Sequence, residues 1–147
     1  MASLNDLVAA VATTLENNIT GLAAYQYILP SSATYPCVMV QPGPGDYTPA
    51  FGAGDDKWIL SVFVLTSAGG EQGAAQMELN SLITGWGPSS IRQVLYDHED
   101  LGLTDGTDVM ATGVSNYGGK YTIGDVEAAG ALIKVLIHTD PQQFVVP

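Results

Sequence analysis

Residues 113–122, GVSNYGGKYT, place glycines, a lysine and a hydroxyl in nearly the order of a phosphate-binding loop. Such a loop cradles phosphate oxygens with glycine N–H groups and needs Ser or Thr directly after its lysine to hold magnesium. Here Tyr121 follows Lys120 and an extra glycine, Gly119, precedes it, so the stretch reads as a glycine-containing hairpin turn. The acidic run at 97–108, DHEDLGLTDGTD, offers the oxygens a hard cation takes. As an EF-hand loop it has Gly102 at the sixth position, but Leu101 occupies the fifth and Asp108 stands where the final glutamate belongs. It reads as a solvated acidic loop. His98 and His138 have neither metal-ligand spacing nor a nucleophile beside them. Cys37 opens a strand after Pro36, where a small buried thiol is common; reactivity would require a nearby positive charge. Asn18–Ile19–Thr20 matches a glycosylation acceptor, which only an exported chain would present to the enzyme. With no nucleophile–base pair and no ligand cluster, the sequence assigns no catalytic, cofactor-binding or metal residues. A non-enzymatic chain without cofactor is the expectation.

The elements that would carry any site follow from composition and periodicity. A length of 147 residues fits one domain with a sizeable core. The chain is 46% hydrophobic, which excludes a disordered protein, and its longest apolar runs, WILSVFVL and AAGALIKVLI, are too short to span a bilayer. Asp6 and Glu16 interrupt the N-terminal segment, which reads as an amphipathic helix rather than a secretion leader. The single cysteine agrees with a reducing compartment. Four basic residues, Lys57, Arg92, Lys120 and Lys134, face fifteen acidic ones, giving a formal charge of -11. Tight nucleic-acid binding needs clustered cations, so it is not expected. Charged residues make up only 13%, which leaves a largely neutral surface that is easily desolvated against a protein partner.

Ser3 and Asp6 resemble a capping box opening a helix, along which Leu4, Leu7, Val8, Val11, Leu15 and Ile19 form an apolar stripe. Gly21 supplies its stop. Residues 25–29 and 37–41 read as short strands bounded by prolines, and 57–66 as a long strand whose near-continuous apolar run predicts cover on both faces. A second helix spans 71–86, with Ala75, Leu79, Leu82, Ile83 and Trp86 on one side. Ser89 or Ser90 can cap a shorter third helix carrying Ile91, Val94 and Leu95. Strands around 109–117 and 126–139, joined by GGKYTIGD, form an antiparallel hairpin, with His138 on the face of Leu132, Lys134 and Leu136. This order predicts an α+β fold: a mostly antiparallel sheet with helices on one face and a long loop between two strands. The division is a single domain over 1–147, with a core of about 3–140. The tail at 141–147 contains Phe144, Val145 and Val146, which are costly to leave in water.

The N-terminal helix, YPCVMVQPGPGDY, the strand DDKWILSVFVL, the helix EQGAAQMELNSLI and the final GALIKVLIHT together resemble the tail-terminator, or tail-completion, proteins of long-tailed bacteriophages. The resemblance covers roughly residues 3–140 and includes no catalytic or metal motif. It implies a non-enzymatic virion protein of the tail or neck region, present in the host cytoplasm during assembly. Its partners would be other copies of itself in a ring, hexameric in that family, the tail-tube protein and the head-completion or stopper protein. DNA would pass through without tight binding, and no membrane would be involved. A head–tail connector, a tail-tube subunit and a small acidic ligand-binding domain are the alternatives.

The predicted loop at 41–58, QPGPGDYTPAFGAGDDKW, exceeds ordinary hairpin connections. In rings of this kind, arms reach across subunit boundaries. Prolines would stiffen such an arm, and Tyr47, Phe51 and Trp58 are the candidate anchors in a neighbouring subunit.

Overall fold

The computed structural model describes residues 4–27, 35–47, 56–67, 72–101, 108–123 and 126–139. Its elements are α1 (Leu4–Asn18), β1 (Ala23–Tyr25), β2 (Cys37–Tyr47), β3 (Asp56–Ser67), α2 (Gln72–Ile83), α3 (Ile91–Asp97), β4 (Asp108–Ile123) and β5 (Val126–Thr139). The fold is α+β. The five strands form one sheet in the order β1-β2-β3-β5-β4. Only β1 and β2 run parallel; every other pairing is antiparallel.

The helices form as their apolar spacing requires. Leu7, Val8, Val11 and Leu15 of α1 are buried, and Gly21 ends this unit at φ +82°, a conformation that favours glycine. Ser90 is the N-cap of α3: its backbone is extended and its hydroxyl accepts from the Gln93 N–H at 3.2 Å. The same hydroxyl donates to the Thr84 carbonyl, tying α3 to the end of α2. Thr66 Oγ1 donates to the Ala75 carbonyl at 3.1 Å, linking β3 to α2.

All three helices contribute to one core against one face of the sheet. Strand register explains that core: Val38, Val64 and Ala131 stand side by side, as do Val40, Val62 and Ile133, and all are buried. Leu79 and Leu82 of α2, and Ile91 and Leu95 of α3, close over them. Fully burying each such side chain contributes about 1.5–3 kcal/mol. A smaller cluster of Cys37, Met39, Leu65 and Ala128 lies on the reverse face, with Tyr25, Tyr35 and Phe63 packed around it.

Several boundaries differ from the sequence expectation. The sequence predicts a strand at 25–29; the structure has one at Ala23–Tyr25, paired with Cys37–Met39, and bends at 26–27, while 28–29 lie outside the described residues. β2 continues through its prolines to Tyr47, paired with β3 across a bulge between Pro42 and Gly45. The 41–58 stretch is therefore mostly two paired strands, and its connection, 48–55, lies outside the described residues. β4 likewise continues through GGKYTI to Ile123, so most of the expected turn is strand. α2 ends at Ile83, and Trp86 is 57% exposed rather than part of the apolar stripe. Gly85 and Gly87 flank it, with Gly87 at φ +141°, and the chain turns there. Leu60, Val62 and Val64 of β3 are buried on the helix side, whereas on the reverse side Ile59 is 38% exposed, so the expected cover on both faces is not complete. The tail at 141–147 and the possible cap at Ser3 lie outside the described residues.

Candidate functional site

The three expected anchors fall in different settings. Tyr47 is the last residue of β2, opposite Asp56. Phe51 lies outside the described residues. Trp58 stands opposite Gly45 and Ile137, and is half-buried against the main core. The structure thus brings Tyr47 and Trp58 to neighbouring parts of one hairpin, with the Trp58 ring serving the fold itself.

The hairpin has a tight spot at its bulge. A Cβ added at Gly43 would lie 2.7 Å from the Ile59 carbonyl oxygen, closer than two such atoms can pack. Glycine at that position lets the two backbones approach.

The reverse face of the sheet carries rungs of alternating character. Lys57, His138 and Asp108 form a polar rung at one end. Next come Ile59, Leu136 and Met110, the last 57% exposed. Ser61 and Lys134 follow, then Met39, Phe63 and Leu132. Among the described residues no helix packs on this face. His138 shares it with Lys134 and Leu136, as strand alternation predicts, while Ile133, Val135 and Ile137 point into the core. At the sheet margin β4 pairs only with β5, and β1 covers β2 only as far as Met39. The two margins differ chemically: Pro42 and Pro44 interrupt the β2 side, whereas the 108–123 strand contains no proline.

Where α2 turns into α3, Trp86, Arg92 and Tyr96 form a surface cluster that the sequence reading missed. The Arg92 guanidinium carbon is 5.4 Å from the Trp86 ring centre, and the Trp86 and Tyr96 rings meet edge to face at 5.6 Å. Gly85 leaves room for the guanidinium, since a Cβ there would meet Arg92 Nη1 at 3.1 Å. Gln93 holds the turn by accepting the Gly87 N–H at 2.7 Å. The only sequence signal was the Gly-Trp-Gly triplet, which cannot extend a helical stripe. Beside the cluster is a pocket of about 330 Å³, lined by Ile83, Arg92, Ala111, Thr112, Val114 and Ile133.

The titratable groups give no catalytic constellation among the described residues. Cys37 is buried, and desolvation pushes its thiol up to about 11, the opposite of activation. Tyr35 is raised chiefly by desolvation, then by the neighbouring Cys37 and Tyr25. Its hydroxyl finds no hydrogen-bond partner among the described residues. The acidic run leaves α3 in a turn over 98–101, with 102–107 outside the described residues. Among the described residues no three His, Cys, Asp or Glu side chains group to hold a metal ion, and no helix is long and apolar enough to cross a membrane. No protein-family model matches the chain, and no curated protein matches it.

Proposed function

We propose that this chain is a structural protein of a long-tailed bacteriophage that forms a ring capping the tail tube and offers a surface for joining the head. The observation that supports an assembly role is the reverse face of the sheet. Half-buried Phe63, Leu132 and Leu136 and exposed Met110 lie there in rungs that no helix covers among the described residues. Apolar surface so arranged is stabilised by contact with another protein. The sheet margins support a ring in particular. A ring closes through two unlike patches per subunit, and the proline-interrupted β2 side and proline-free β4 side are unlike. The choice of tail terminator rests on the resemblance of the sequence. The net charge of -11 fits a channel through which DNA passes without sticking.

The test replaces Tyr47 and Phe51 together with Ser and leaves Trp58 alone, because its ring packs on the core. An interface aromatic commonly costs about 2 kcal/mol or more when truncated, so rings and tube capping should weaken while circular dichroism stays native. Sedimentation over a concentration series, with and without assembled tail tubes, reads the outcome. Unchanged capping by the folded double variant would remove the hairpin from the interface. Joining filled heads without capping tubes would reassign the chain to a connector.

A further inference from the structure

The pocket beside the Trp86 turn reaches the free margin of the sheet. Four consecutive residues of β4, 111–114, line it together with Ile83, Arg92 and Ile133. Successive strand residues point to opposite faces, so one pocket touches four in a row only where it meets the backbone itself, here at the bulge between Ala111 and Gly113. Register shows which backbone groups are open. The Val109 N–H donates to the Glu99 carbonyl at 2.8 Å, on the side away from β5. Val109, Ala111 and Val114 stand opposite Ile137, Val135 and Ile133, which are alternate residues of β5, so Ala111 and Val114 turn their N–H and C=O groups to that same side. Among the described residues no strand pairs there. A Cβ added at Gly113 would meet nothing within 4 Å, so the bulge stands clear of its surroundings.

The chemistry of the pocket selects what lies along that margin. Its walls include Ile83, Ala111, Val114 and Ile133, and among the described residues Arg92 is the one charged group in its lining. Trp86 holds the guanidinium at 5.4 Å, which leaves its edge able to donate two parallel hydrogen bonds. Among the described residues no carboxylate pairs with it. An apolar site with one unpaired cation is complementary to an apolar side chain beside a carboxylate. We propose that 111–114 accepts, as an added strand, an extended segment of another protein, with an apolar side chain in the pocket and an Asp or Glu two residues away paired with Arg92. Residues two apart on a strand share one face at about 7 Å, so both side chains address the same pocket. A second copy does not supply this segment from its described margins: 109–123 contains no Asp or Glu, and Pro42 and Pro44 interrupt the β2 side. The site does not depend on ring closure, and a ring using the rest of the 108–123 margin leaves it open.

The test titrates the full chain into fluorescently labelled, amidated peptides of about six residues, read by anisotropy, with circular dichroism as the fold control. The peptides alternate Thr with apolar residues and carry Val, Leu or Phe two residues from a Glu. At least one of them should bind. Changing its Glu to Gln, or Arg92→Gln in the protein, should weaken binding about tenfold, and both changes together should cost little more than either alone. N-methylating alternate peptide nitrogens should abolish binding in one of the two phases, since only one phase faces β4. The chain with Tyr47→Ser and Phe51→Ser should bind as wild type does, so the site and the ring are judged separately. Binding by none of the peptides, unchanged binding in both N-methylated phases, or equal binding by folded Arg92→Gln would overturn the proposal. So would displacement of the peptide by an equal concentration of isovalerate, which would make the pocket a small-molecule site.

Discussion

Replacing Gly43 with Ala tests whether the close approach of β2 and β3 is what this position requires. The added Cβ, fixed in place by the backbone of the bulge, would stand 2.7 Å from the Ile59 carbonyl oxygen, itself a backbone atom of β3. Neither can rotate away, so the strands must part or the bulge must move. Forced overpacking of this kind costs about 1–3 kcal/mol. Against it stands the reduced freedom of the unfolded chain when glycine becomes alanine, which stabilises by about 0.4–1 kcal/mol. The net expectation is a loss of about 1–2 kcal/mol. At this chain length that lowers the melting temperature by about 2–8 °C. With a urea slope of about 2 kcal/mol per molar, the midpoint falls by about 0.5–1 M. Gly113 is the internal control. It also sits at a strand irregularity, in β4, yet an added Cβ meets nothing within 4 Å. Gly113→Ala should leave stability unchanged or slightly raised. Equal midpoints for the two variants in parallel urea titrations would refute the reasoning, because the difference between them isolates the carbonyl contact.

Ser90→Ala removes both the cap of α3 and the bond to Thr84, and should cost about 1–2 kcal/mol by urea midpoint. It should also loosen the turn bearing Trp86, read as a change in tryptophan emission. Cys37 gives a pH prediction. The folded chain keeps the thiol proton up to about pH 11, while the unfolded thiol releases it near 9.0. The unfolded state therefore binds fewer protons in that window, and stability falls as pH rises from about 9 to 11. Cys37→Ala should show a flatter decline there, although Tyr35 contributes in the same direction higher in the range. Identical slopes would show that the buried thiol is not the group responsible.

What the sequence determined by itself was whatever depends on neighbours along the chain. The α1 stripe, the capping serine of α3 and the alternation of β5 are set by periodicities of 3.6 and 2, and the structure has them. The burial of Cys37 was legible for a similar reason, since it enters an apolar strand directly after a proline. Of the candidate anchors, the sequence named Tyr47, Phe51 and Trp58 as aromatic residues in one stretch, but could not place the Trp58 ring against the core. Only tertiary pairing decided that the 41–58 stretch is mostly strand. Prolines and glycines disfavour strands locally, and hydrogen bonds from β3 across a bulge override that preference. The parallel seat of β1 beside β2 is likewise set by a partner twelve or more residues away. The meeting of Trp86, Arg92 and Tyr96 depends on where α2 stops and how the Gly85–Gly87 turn redirects the chain. Helical spacing extends Trp86 into a stripe; the positive φ at Gly87 and the Gln93 bond turn it out to the surface instead.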